Sequence, residues 1–208
     1  MVSKNQKVSV AGKVLSVLLL WCIATASSAQ LALKTNVLYD ATTTPNLGLE
    51  VGLSKRVTAQ VFYGLNPWSF KDSNNETRMA KHWLLMPEVR WWQCCKFNGL
   101  FYGVHLMGGQ FNAQNVNLPL PGGFFKGDNV QKMVRDTRVE GSYFGGGITV
   151  GYQWILSQHW NLEVEAGAGY DRVWYDQYPC AECGTRISSG ATNYAGLTKL
   201  GLSVLYLF

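Results

Sequence analysis

Between Asn193 and Phe208, the residues Thr198, Leu200, Leu202, Val204, Tyr206 and Phe208 fall at alternate positions. Alternate residues of a strand point to opposite faces, so these six form one apolar ridge that finishes on a terminal phenylalanine. Outer-membrane β-barrels of Gram-negative bacteria end this way, and Phe208 is the feature that the barrel-assembly machinery would grasp. The ending predicts a location before it predicts any chemistry.

The start of the chain carries a matching address. Lys4, Lys7 and Lys13 precede an apolar run from Val14 to Ile23, and the small residues Ala24 to Ala29 offer Ser27 and Ala29 as the minus three and minus one positions of a cleavage site. The run is shorter than the roughly 20 apolar residues that a spanning helix needs. Residues 1–29 therefore read as a Sec-type signal peptide that is cleaved, with Gln30 to Phe208 as a single domain; a retained helical anchor is the alternative. Cys22 follows the bulky Trp21 and no polar tether comes after it, which argues against lipidation.

Removing that peptide lowers the formal charge from +5 to +2, because three lysines leave with it. The basicity is a targeting feature and gives no support for nucleic-acid binding. With Trp21 set aside, seven tryptophans, ten tyrosines and nine phenylalanines remain among dispersed glycines. Aromatic-rich alternation without long helical periodicity indicates β-structure, and membrane barrels gather such aromatics at both interfaces.

Eight strands are expected: Leu31 to Tyr39, Asn46 to Leu53, Val57 to Leu65, His82 to Trp92, Asn98 to Phe111, Ser142 to Ile155, Trp160 to Trp174 and Thr192 to Phe208. Three short connections (Ser54 to Arg56, Gln93 to Phe97, Leu156 to His159) alternate with three long ones (Asn66 to Lys81, Asn112 to Gly141, Tyr175 to Ala191). Short periplasmic turns alternating with long extracellular loops are the order of an eight-stranded antiparallel transmembrane β-barrel, an all-β fold. One face of each strand suits lipid: Trp160, Leu162, Val164, Ala166, Ala168 and Tyr170 alternate with Asn161, Glu163, Glu165, Gly167, Gly169 and Asp171. Pro87 falls on the outward face of the fourth strand, where a bulge or register change is expected because proline lacks a ladder donor.

The inward set supplies Lys34, Glu50, Glu88, Arg90, His105, Glu163, Glu165, Asp171 and Lys199. Eight strands leave room for side chains, not for a wide channel. These residues are expected to neutralise one another as a structural charge network; a narrow proton or ion path is the alternative. Glu163 and Glu165 share a face, yet nothing indicates a cleft or separated pKa values, so they are not assigned as catalytic carboxylates. His105 lacks partners at metal-ligand spacing. No enzyme, no metal and no cofactor are expected.

Cys180 and Cys183 form a CAEC segment in the last long loop, where a small disulfide staple is the favoured reading over redox exchange or zinc. Cys94 and Cys95 are adjacent in a short turn and could form a vicinal disulfide, pair with a partner or stay free. The longest loop joins Leu118, Pro119, Leu120, Pro121, Gly122, Gly123, Phe124 and Phe125 to Lys126, Lys132, Arg135 and Arg138. The two aromatics suit either a lid over the barrel mouth or a binding tip, and the basic residues suit the phosphates and sugars of lipopolysaccharide or a surface protein.

The segments ALKTNVLYDATTTPNLGLEVGLSKR (Ala32 to Arg56), KHWLLMPEVRWW (Lys81 to Trp92), FNGLFYGVHLMGGQFN (Phe97 to Asn112) and GYQWILSQHWNLE (Gly151 to Glu163) resemble the DUF3575 family of secreted Bacteroidales proteins. The resemblance implies a small outer-membrane barrel, and the occurrence of some family members near fimbrial components suggests a role in fimbrial assembly or surface attachment, with a pilin as a partner. It brings no catalytic residues.

Overall fold

The alternation seen in the sequence organises the computed structural model, which describes residues 30–71, 77–114, 137–179 and 185–208. Among these described residues nine strands and one short helix follow in order: β1 (Leu31–Asn36), α1 (Val37–Ala41), β2 (Asn46–Gly52), β3 (Val57–Asn66), β4 (Ser69–Lys71), β5 (Thr77–Trp92), β6 (Gly99–Gln114), β7 (Arg138–Ile155), β8 (Trp160–Tyr178) and β9 (Ser188–Leu207). Every pairing is antiparallel. The order runs β3-β2-β1-β9-β8-β7-β6-β5-β4, and a further pairing of β3 with β5 closes the sheet on itself. Eight strands form the ring, and β4 is a three-residue flap on the upper part of β5. The proposed leader, residues 1–29, lies outside the described residues.

Closure satisfies the backbone where the chain ends meet. Ala32 pairs with Leu207, and the Phe208 amide donates to the Leu31 carbonyl at 2.9 Å. The short connections lie at this end of the ring, and α1 and β4 lie at the other.

Several boundaries differ from the sequence expectation. β1 stops at Asn36 instead of running to Tyr39, because the Asn36 side chain accepts from the Leu38 amide at 3.1 Å and caps α1. The same carboxamide donates to the Leu200 carbonyl at 3.1 Å and accepts from the Leu202 amide at 3.3 Å, replacing one more rung of the β1–β9 ladder. β5 to β9 extend several residues beyond their apolar stretches, since a ladder continues into water where outward residues such as Lys81, Asn112 and Glu140 are polar. β4 is too short to announce itself by pattern.

No bulge occurs at Pro87. It faces Val61 within an unbroken β3–β5 register, and the β5–β6 pairing omits Met86 and Pro87 but resumes with Glu88 opposite His105 in the same register. The irregularity lies in β9 instead: Gly167 faces Lys199 while Ala168 faces Leu197, so Thr198 is an extra residue. Outward residues are even-numbered from Leu200 to Phe208 and odd-numbered at Ala195 and Leu197. Thr198 thereby leaves the outward ridge to which strict alternation assigned it.

Glycines on the inner face make room for large neighbours. A Cβ on Gly48 would meet Lys34 Cγ at 2.5 Å, and one on Gly201 would meet Glu165 Cγ at 2.8 Å. Gly147 and Gly169 face each other so closely that a Cβ on Gly147 would lie 2.7 Å from the Gly169 Cα and against the Ala168 carbonyl. Since backbone on the opposing strand must yield, Gly147→Ala is expected to destabilise the fold by about 1–3 kcal/mol, the usual cost of overpacking. Urea unfolding midpoints of the two proteins measure this, and equal midpoints would refute the close approach.

Candidate functional site

Seven of the nine inward charged positions come together around Arg90. Its Nη1 donates to Glu50 Oε2 at 3.0 Å and Glu163 Oε2 at 2.9 Å, and its Nη2 to Glu165 Oε2 at 2.6 Å and Glu88 Oε2 at 3.2 Å. Lys34 Nζ reaches Glu163 Oε1 at 2.7 Å and Glu165 Oε1 at 3.3 Å. Lys199 Nζ reaches Glu165 Oε2 at 2.8 Å and also Glu88. Glu88 and Arg90 share the inner face of β5, and Glu163 and Glu165 that of β8, because two residues separate like-facing side chains. Gln60, which sequence reasoning passed over, faces Glu50 on one strand and Glu88 on the other and donates to Glu88 Oε2 at 3.0 Å.

His105 and Asp171 do not join the ion pairs. The His105 ring lies between two hydroxyls, Thr149 at 2.9 Å and Thr198 at 3.0 Å, the latter brought inward by the β9 bulge. Asp171 is buried further along β8, and its Oδ1 has no hydrogen-bond partner among the described residues.

Apolar layers close the network from both ends. Toward the short turns, Ala32, Trp92, Phe97, Phe101, Leu205 and Leu207 pack together, with Arg90 4.4 Å above the Phe101 ring. Toward the other end, Phe62, Leu84 and Met86 pack with Tyr39, Met107 and Tyr143. Tyr39 reaches this layer from α1, its ring 5.5 Å from that of Phe62. Inward aromatics were not separated from outward ones by composition; their position on the inner face of each strand is the signal that finds them.

Above the second layer lies a cavity of about 840 Å³. One continuous cross-strand row, Asn66, His82, Phe111, Gly141, Tyr175 and Gly190, rings it on the inner face. The Asn66 amide is already spent on Thr44 Oγ1 at 3.1 Å and the Trp68 amide at 3.2 Å. His82 Nδ1 lies 2.9 Å from the Ala80 carbonyl.

The proposed loop residues fare unevenly. Phe124, Phe125, Lys126, Lys132 and Arg135 lie outside the described residues, as do Cys180 and Cys183. Arg138 is not on a loop: it opens β7 and is held by Glu140 and by Asn112 Oδ1 at 3.2 Å. Cys94 and Cys95 are exposed thiols that form no disulfide, their sulfurs 3.6 Å apart in a hydrogen bond. In this turn, the hydrogen bond and charge of Cys94 raise the pKa of the Cys95 thiol above its usual value. Less Cys95 thiolate is present near neutral pH, so Cys94→Ala is expected to shift the pH midpoint of Cys95 alkylation downward in reduced protein. An unchanged midpoint would refute the coupling.

Removing Arg90 leaves four buried carboxylates facing two lysines. Arg90→Met is expected to cost about 3–5 kcal/mol, and Glu50→Gln in the same chain to restore part of it by deleting an unmatched charge. Denaturant titration of the single and double variants tests this; additive losses would refute the network.

No curated protein matches the chain. Among solved structures, the N-terminal β-barrel domain of Pseudomonas aeruginosa OprF matches with 14% identity and a TM-score of 0.34, covering 86% of this chain and 96% of that one. Residues 14–208 match the model of the family described as protein of unknown function (DUF3575), and the chain belongs to that family.

Proposed function

We propose that this protein is a small transmembrane β-barrel of the outer membrane with a structural or surface-binding role and no enzymatic activity. The observation that carries the reading is the outward face of the closed sheet. Leu47, Leu49, Val61, Leu85, Val104, Ile148, Val150 and Leu200 are exposed there, in cross-strand continuity, while charged side chains are buried inside. A protein in water would invert that arrangement, whereas a bilayer rewards it. Trp91, Trp154, Trp160 and Tyr206 flank the apolar band at the short-turn end, and Tyr170 and Trp174 flank it at the other, as interfacial aromatics do.

The interior argues for a role outside the barrel. A charge network sealed by two apolar layers favours structure over conduction, which leaves the long-connection end, with its cavity, as the surface for partners. Lipopolysaccharide, a pilin or another surface protein fits that position, and fimbrial assembly or attachment is the corresponding biological setting. The ion-path reading makes a distinct prediction: conductance that changes when Glu88 or Arg90 is replaced.

Outer-membrane fractionation with heat-modifiable gel migration tests the proposal. Recovery in the outer membrane, slower migration after boiling and no conductance steps in planar bilayers are expected. A soluble, monomeric, folded protein in the absence of detergent would overturn it.

A further inference from the structure

The outward face of β8 is uncharged through Trp160, Leu162, Val164, Ala166, Ala168 and Tyr170, and then places Arg172 between Tyr170 and Trp174. Twelve residues separate Trp160 from Arg172, which at about 3.3 Å rise and about 40° tilt lifts the guanidinium roughly 30 Å, to the far edge of an outer-membrane apolar band about 25 Å tall. Tyr170 and Trp174 are both about half exposed, at 53% and 46%, so the arginine stands among interfacial aromatics and not beyond them.

Its surroundings prepare it for an anion. Arg172 faces Phe144 on β7 and Asn193 on β9. Nη1 donates to Asn193 Oδ1 at 2.6 Å, and no carboxylate pairs with it among the described residues. A guanidinium has five N–H donors, so most remain available. By accepting from Arg172 through Oδ1, the Asn193 carboxamide keeps its Nδ2 donors without a partner among the described residues. A guanidinium and a carboxamide from neighbouring strands thus stand side by side on the outer wall, and a phosphate oxygen is the acceptor that such a planar fork fits best. Ala191 and Ala195, the small outward neighbours of Asn193, leave space beside it for a lipid's bulk.

We infer that Arg172 and Asn193 bind the phosphate of an outer-leaflet lipid at the extracellular edge of the barrel, with Tyr170 and Trp174 against the rest of its headgroup. The site rests on the membrane-spanning reading above and is separate from the long loop.

The probe is bis-phosphorylated lipid A, compared with its dephosphorylated form, added to the full-chain outer-membrane protein in nonionic detergent and followed by native mass spectrometry. The expected preference for the phosphorylated lipid is about tenfold or more, the scale of one charged hydrogen-bonded contact. Arg172→Ala erases the preference, Arg172→Lys and Asn193→Ala weaken it, and Arg186→Ala, in an exposed pair with Asp176, leaves it unchanged. Heat-modifiable migration confirms that each variant is folded. An unaltered preference in Arg172→Ala, or none in the unmodified protein, overturns the site while leaving the barrel standing. Equal competition by inorganic phosphate overturns the lipid as its occupant. Failure of the unmodified protein to show heat-modifiable migration overturns both readings.

Discussion

Arg90 is the side chain on which the interior depends. Backbone ladders bind each strand only to its neighbours, whereas the two Nη groups of Arg90 reach from β5 to Glu50 on β2 and to Glu163 and Glu165 on β8, across the ring. Its position is bought at a high desolvation cost, which four carboxylates on its two Nη groups offset, while its Nε has no partner among the described residues. Lys34 from β1 and Lys199 from β9, the strands where the chain ends meet, donate to the same carboxylates and balance their remaining charge. The network therefore acts where ladders cannot, holding opposite walls at one separation.

This arrangement shapes what surrounds it. Long ionic side chains fit within eight strands only because glycines such as Gly48 and Gly201 remove bulk from the strand beside them. Low local polarity strengthens the ion pairs, and the apolar layers above and below keep that polarity low. A charge network in contact with bulk water at either end would lose strength and gain permeability together. The same layers that stabilise the clamp thus close the interior above and below it, which leaves the outer wall and the long-connection end as the surfaces open to contact.

Much of this was legible in the sequence, for a definite reason. A charged residue at an alternate position in an otherwise apolar strand has only the interior to occupy, so Lys34, Glu50, Glu88, Arg90, Glu163, Glu165 and Lys199 could be assigned before any coordinates. What escaped depends on backbone events that alternation cannot encode. The bulge at Thr198 reverses the parity of β9 and gives His105 a second hydroxyl, and Asn36 ends β1 by serving a cap and a ladder at once. The upper strand ends were missed because outward polarity there reads as loop. Arg172 fell inside the expected strand, which ran to Trp174, but the alternation there was read only as far as Tyr170 and Asp171, so its outward position was not drawn out.

The wall is uneven, and where its shortest ladder stops a side chain serves the backbone in its place. β1 and β2 have six and seven residues, while β7, β8 and β9 have 18, 19 and 20. The last rung between β1 and β9 joins Asn36 to Ser203, after which the Asn36 carboxamide serves Leu200 and Leu202 in place of a strand. In hydrocarbon an unpaired backbone group costs several kcal/mol, whereas at the headgroup level water and polar lipid groups can serve it. Asn193 lies on β9 above that last rung, and Arg172 stands opposite it. The last rung lies well before that point, since its Ser203 faces Glu163, nine residues ahead of Arg172 on β8, so it is the Asn36 carboxamide that serves the backbone groups a longer β1 would have paired.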